Sequence, residues 1–133
     1  MNFLKPLYDN MKHKSRVQLI QPGLGAQRTK GLIAQLDLLI AARMHCCVAG
    51  ISVGTSTMFV TYSNKGRGMS AYAYGHHKYE IECSDMFEDP KKFLSKAQEM
   101  IDARTEISNY LKQQKNRFES DSMESGKILK LNC

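Results

Sequence analysis

Apolar positions along this chain change spacing several times, and each change marks an element. Phe3, Leu7 and Met11 recur every four residues, which predicts a helix over residues 2–14 with Pro6 tolerated near its first turn. Val17–Ile20 is a short β-favouring run, followed by a Pro/Gly loop at Gln21–Gly25. Helical spacing returns from Thr29 to Gln35 or Leu36, with Leu32, Ile33 and Leu36 on one side. Leu38–Ala42 is continuously apolar, as expected of a strand covered on both faces. Met44–Val53 reads as a helix closed by Gly54. Thr57–Tyr62 is rich in β-branched and aromatic residues and reads as a strand, with a polar loop at Ser63–Gly68 after it. A short helix over 69–74 closed by Gly75 and a strand at Tyr79–Cys83 follow. Asp89 and Pro90 then open a long helix as N-cap and first residue, with Leu94, Ala97, Ile101, Arg104, Ile107 and Leu111 on one face.

Strands alternating with helices specify an α/β fold, a three-layer Rossmann-like parallel sheet with crossover helices. Residues 1–115 form this unit, incomplete at its amino-terminal side. Residues 116–133 turn polar and read as a loose tail, with no element assigned to Lys127–Cys133. The topology also places chemistry. Loops after consecutive parallel strands lie on one edge of the sheet, where open α/β sheets bind ligands. Arg43, Met44 and His45 follow the first of these strands; Tyr62, Ser63 and Lys65 end or follow the second. The first loop also runs into a helix N-terminus, which favours an anion. Arg43 can grip a carboxylate or phosphate with two parallel hydrogen bonds, Lys65 is a mobile point charge, and His45 can donate or accept a proton near neutral pH. A bland reading stands beside this one: a salt-bridging arginine, a capping histidine and an ordinary turn. Lys30 at a helix start is a weaker candidate, with solvated surface as the simpler reading.

Composition narrows the classes. The net charge of +6 favours anionic partners, yet no compact Arg/Lys block interleaved with aromatics is present, so nucleic acid is not an expected partner. Leu32–Ala42 is the most apolar segment, but Gln35 and Asp37 interrupt it and it is too short to span a membrane. The first residues lack an apolar signal core, so a cytoplasmic location is expected. The four cysteines, Cys46, Cys47, Cys83 and Cys133, have no metal-ligand spacing. Adjacent His76 and His77, in a strand, would point to opposite faces, and no third ligand is evident. No metal and no cofactor are expected.

Three stretches together carry a resemblance. Lys30–His45 reads Lys-Gly-Leu-Ile-x-Gln-x-Asp-Leu-Leu-Ile-x-x-Arg-Met-His, Ala49–Gly54 reads Ala-Gly-Ile-Ser-x-Gly, and Tyr62–Gly68 reads Tyr-Ser-x-Lys-x-x-Gly. With them, residues 17–110 resemble the polysaccharide pyruvyl transferase family. The resemblance implies the carboxyl-terminal half of a glycosyltransferase-B-like enzyme. Such an enzyme moves the enolpyruvyl-derived group of phosphoenolpyruvate onto sugar hydroxyls of a cell-surface polysaccharide as a ketal. Phosphoenolpyruvate would be the donor substrate, and a sugar or lipid-linked oligosaccharide the acceptor. A separate amino-terminal half or a homo-oligomer would complete the site. His45 and Arg43 would be the catalytic residues, and Arg43, Met44, His45, Tyr62, Ser63 and Lys65 would bind substrate. Two alternatives remain at this stage: a fragment of a nucleotide-sugar glycosyltransferase or epimerase, with Asp85 or Glu88 to hold a ribose, and a non-catalytic anion-binding remnant.

Overall fold

The computed structural model describes residues 4–20 and 22–131. At its centre is a parallel sheet of three strands in chain order: β1 (Leu39–Ala41), β2 (Thr57–Thr61) and β3 (Glu80–Glu82). Leu39 and Ala41 of β1 stand opposite Thr57 and Phe59 of β2, and Phe59 and Thr61 stand opposite Glu80 and Glu82 of β3. Parallel neighbours need crossovers, which are the helices α3 (Met44–Ser52) and α4 (Asn64–Tyr74).

All five residues of β2 are buried. Successive side chains point to opposite faces, so Thr57, Phe59 and Thr61 share one face and Met58 and Val60 the other. Both faces are therefore covered. On the Thr57 face, Gly50 of α3 packs directly against Thr57 and Leu39, and the Phe59 ring meets Tyr74 of α4 edge-on at 6.3 Å between centroids. Met58 and Val60 belong to one buried cluster with Met100, Ile107 and Leu111. These last three come from α6 (Pro90–Asp102) and α7 (Arg104–Gln113). The arrangement is α/β with a parallel sheet, as the alternation of elements predicts, and is compatible with a Rossmann-like fold.

Several boundaries depart from the sequence reading. Val17–Ile20 is not a strand; a 3-10 turn at Lys14–Arg16 precedes it, and Val17 and Ile20 stay 37% and 42% exposed. With no buried face to gain, β propensity alone does not hold a strand. Consequently β1 is an edge strand rather than one covered on both faces, and its Ile40 is 40% exposed. The first helix, α1, is described over Leu4–Asp9 and ends before residue 14, and Leu7 and Met11 are exposed; Phe3 and Gln21 lie outside the described residues. Helix α2 runs over Ala26–Ile33, earlier than expected, and the Thr55 hydroxyl donates to the Ile33 carbonyl at 2.9 Å where the helix ends.

Ser63–Gly68 is not a loop. It forms the N-cap and first turns of α4, in which Gly66 lies against Thr61 and gains tertiary support that offsets its poor propensity. The expected positive-φ closures are present, with φ +76° at both Gly54 and Gly75. A short helix, α5 (Cys83–Glu88), follows β3 directly. Asp89 caps α6, accepting from the Lys92 amide at 3.2 Å. The long helix is two helices broken at Ala103, and its inner face is Phe93, Ala97, Met100, Ile107 and Leu111. Leu94 is 62% exposed. A stripe shifted by one residue has the same periodicity, so spacing could not separate the two.

The segment expected to be loose is helix α8 (Lys115–Leu131). Phe118 packs on the core, Arg117 donates to the Tyr72 carbonyl at 2.9 Å, and the Tyr72 hydroxyl donates to Asp121 at 2.6 Å. Polar composition does not prevent a helix from docking through a few side chains. Cys133 lies outside the described residues. Among the described residues, no helix is long and apolar enough to cross a membrane.

Candidate functional site

The chain leaves β1 and β2 in the same way. After Ala41 come Ala42 and Arg43, and then α3; after Thr61 come Tyr62 and Ser63, and then α4. Because the strands are parallel neighbours, both connections lie on the carboxyl edge. Between them is a cavity of about 370 Å³ whose lining includes Arg43, Met44, His45, Tyr62, Ser63 and Lys65. Cys47, Phe59 and Thr61 also contribute to its wall. The six residues singled out from the sequence are thus brought together around one space.

Arg43 and Ser63 are the N-caps of the two helices, both extended, and neither side chain caps its helix. The earliest intrahelical bonds run from the Cys46 and Cys47 amides to the Arg43 carbonyl, at 3.0 and 3.1 Å, and from Gly66 and Arg67 to Ser63, at 3.1 and 3.4 Å. The amides of Met44 and His45, and of Asn64 and Lys65, precede those bonds and are available to a ligand. Two positive helix ends therefore meet at the cavity. Sequence reasoning found the first and missed the second, because the glycines of the Ser63–Gly68 stretch suggested a loop.

Among the described residues, no carboxylate lines this cavity. Among the described residues, Arg43 and Lys65 enter no salt bridge. No ion pair from a neighbouring loop among those residues supports the bland reading of Arg43. Arg43, His45, Ser63 and Lys65 are solvent-exposed, and Met44 is half-buried. The arrangement can hold a small multivalent anion, with an imidazole close enough in the chain to exchange a proton with it.

Cys47 is buried, and its thiol donates to the Ala41 carbonyl at 3.3 Å. Burial, and secondly the neighbouring Cys46, push that thiol up to about 11. It is a wall residue rather than a nucleophile, since thiolate is scarce at neutral pH.

The remaining candidates lie elsewhere. Lys30 borders a different groove, with Val48 and Lys112. His76 and His77 sit in a bend rather than a strand. His76 packs on Tyr74 and Tyr79, and His77 Nδ1 lies 3.0 Å from Glu80 Oε1. Among the described residues no group of three or more His, Cys, Asp or Glu is placed to hold a metal, and Cys46, Cys47 and Cys83 are free thiols. Asp85, weighed above for a ribose, is engaged by the Lys92 ammonium.

A second cavity, of about 350 Å³, adjoins the first and shares Thr61, Tyr62 and Ser63 with it. Its other wall is built from Asn64 and Arg67 of α4 and from Glu82, Cys83 and Ser84 at the end of β3. None of Asn64, Arg67 and Glu82 was singled out from the sequence; their signal was position alone, in the second and third strand-to-helix connections.

Comparison with curated proteins and with solved structures gives no match. One family model does match, and its span includes Arg43, Met44, His45, Tyr62 and Ser63 but stops one residue short of Lys65. Residues 2–64 of the 133-residue chain match the polysaccharide pyruvyl transferase family, consistent with a partial member of it.

Proposed function

We propose that the chain is a pyruvyl transferase unit whose carboxyl-edge cavity binds phosphoenolpyruvate. The observation that carries this is the meeting of Arg43, Lys65 and two side-chain-free helix N-termini around one carboxylate-free cavity, next to His45. Phosphoenolpyruvate presents a phosphate and a carboxylate on a three-carbon frame, so it needs two anion-binding groups close together. Arg43 holds the carboxylate or phosphate through two parallel hydrogen bonds. The free amides of α3 and α4, with Lys65, hold the phosphate.

In this reading His45 is the general acid or a donor to the phosphate. As acid, it gives a proton to the methylene carbon, and C2 becomes an oxocarbenium-like centre. A sugar hydroxyl adds to C2 and loses its proton. A second hydroxyl of the same sugar then displaces phosphate, closing the ketal. The balance is phosphoenolpyruvate plus diol giving pyruvate ketal plus inorganic phosphate. Helix N-termini aimed at the leaving phosphate stabilise the charge that develops there. The same reading makes this sheet the carboxyl half of a glycosyltransferase-B-like arrangement and makes a saccharide its acceptor.

The test is thermal unfolding of the purified chain with phosphoenolpyruvate, with Arg43→Ala alongside. Ligand at about 100 times its dissociation constant adds roughly 2.7 kcal/mol, a shift of several degrees. The shift is expected in the wild type and not in Arg43→Ala. A folded wild-type chain that shifts with a nucleotide sugar and not with phosphoenolpyruvate sinks the reading.

A further inference from the structure

The two adjoining cavities differ in charge. The first has Arg43 and Lys65 and no carboxylate. In the second, one guanidinium serves two carboxylates: an Arg67 terminal nitrogen lies 2.6 Å from Glu82 Oε1, and Arg67 Nε lies 3.6 Å from Glu80 Oε1. Glu82 offsets the Arg67 charge within this space, while Glu80 lies outside the lining and is shared with His77. The other residues of the lining bring hydrogen-bonding capacity: the Glu82 carboxylate, the Asn64 carboxamide, and the Ser63 and Ser84 hydroxyls, with the Tyr62 ring beside them.

Tyr62 is 74% exposed and forms part of both walls. A tyrosine offers an apolar face with a polar tip, which suits a ligand that is apolar on its C–H face and polar around its rim. A carboxylate with lone pairs to spare accepts from neighbouring hydroxyls in charge-assisted bonds. At about 350 Å³ the cavity is near the lower end of the ligand-site range, room for one ring rather than an oligomer. Its contact with the anion cavity along Tyr62 and Ser63 puts such a ring beside whatever the first cavity holds.

We propose that the second cavity is a subsite for a neutral polyhydroxy ring, supported face-on by Tyr62 and hydrogen-bonded at its rim by Glu82, with Arg67 holding Glu82 in place. Naming that ring the acceptor sugar rests on the function proposed above; the subsite itself does not. The same chemistry would recognise the ribose of a nucleotide, and the test separates the two sources.

The full 133-residue chain is titrated, by saturation-transfer NMR, with methyl glucoside, methyl galactoside and methyl mannoside, and separately with uridine diphosphate. At least one glycoside is expected to bind, with strongest transfer to its ring C–H protons. Tyr62→Ala weakens it about tenfold while Tyr62→Phe keeps it, and Glu82→Gln weakens it several-fold. Circular dichroism shows that each variant is folded. Binding of uridine diphosphate that depends on both Tyr62 and Glu82, with no glycoside bound, keeps the subsite and assigns it to a ribose. Binding of none of these by folded protein, or binding unchanged in Tyr62→Ala or in Glu82→Gln, overturns the proposal. Arg43→Ala is the cross-check. If phosphoenolpyruvate gives no thermal shift while glycoside binding still depends on Tyr62, the proposed function fails and the subsite stands.

Discussion

Gly50 is where α3 presses closest to the sheet, and replacing it with alanine tests the packing that places Arg43 and His45. A Cβ there would overlap the Thr57 hydroxyl oxygen and stand 2.7 Å from Leu39 Cδ2. Leu39 can swing its methyl away, but Thr57 cannot yield cheaply. Thr57 is fully buried, and its hydroxyl donates to the Thr55 carbonyl at 2.8 Å. The Gly50 carbonyl accepts the Thr55 amide at 2.9 Å, which ties the helix to the same turn. Alanine gains about 0.5–1 kcal/mol in helix propensity. Overpacking a rigid site costs about 1–3 kcal/mol. Because the obstructing atom is a bonded, β-branched side chain, the upper part of that range applies, and the net loss is about 1–2 kcal/mol. Gly68, inside α4, is the control: a Cβ there meets nothing within 4 Å, so Gly68→Ala should stabilise by about 0.5–1 kcal/mol. Urea denaturation at constant m reads both. The two substitutions are chemically identical and should have opposite signs. If Gly50→Ala is as stable as the wild type, α3 does not sit on β2 as described, and the geometry of the anion cavity falls with it.

Three further outcomes are expected. The Tyr74 hydroxyl accepts from the Thr57 amide at 3.0 Å and donates to the Thr57 carbonyl at 2.9 Å, so Tyr74→Phe orphans two buried backbone groups and should cost about 2–4 kcal/mol in urea. Burial above all raises the Tyr74 phenol far above its ordinary value near 10, so its contribution is complete below about pH 10 and declines as pH climbs towards the folded value. The wild type should therefore lose up to about 1.4 kcal/mol per pH unit more than Tyr74→Phe above pH 10; parallel losses would contradict this. Cys47, at about 11, should resist alkylation of native protein at pH 8, where about one thiol in a thousand is ionised, and react on unfolding; mass spectrometry that finds it labelled in native protein as fast as Cys46 refutes the assignment. Gly75→Ala meets open space but keeps φ near +76°, so it should cost about 1 kcal/mol through backbone strain alone, and an unchanged urea midpoint would show that the turn relaxes freely.

What could be read from the chain follows from which interactions are local. Glycine closures at Gly54 and Gly75 and the Asp89–Pro90 start of α6 are written in a few adjacent residues, and each appears in place. The β2 strand is legible because every one of its residues is buried and its composition says so. The errors fall where tertiary packing decides. Val17–Ile20 has strand composition and no partner, α4 starts across two glycines because Gly66 lies against Thr61, and α8 forms in a polar stretch because Phe118, Arg117 and Asp121 dock it. The candidate site was mostly legible, since its six residues follow or end consecutive strands and topology gathers them whatever the exact boundaries. Arg67 and Glu82 were not, because an ion pair between a helix and the third strand has no signature in spacing.

The two connections also supply what the proposed anion site needs despite its few charges. Each strand ends, two residues turn, and a helix begins at Met44 or Asn64; the repeat of this step at neighbouring strands is what brings the two helix ends together. A cap from Ser63 would have consumed one of those amides and its hydroxyl supplies none, while Arg43 carries only donors and leaves its helix end open. Uncapped N-termini lower stability by about 0.5–2 kcal/mol each. A chain selected for stability alone would place a bonding aspartate or serine there, as α6 does with Asp89. Both ends are left open at the shared cavity, beside an arginine and a lysine that enter no salt bridge among the described residues, and under the proposed function that capacity goes to the ligand. The neighbouring cavity is arranged in the opposite sense, its Arg67 paired with Glu82 and Glu80, which is the difference that the two proposals rest on. Reversing the charge at one wall, with Glu82→Lys, would erase that difference and open the second space to anions.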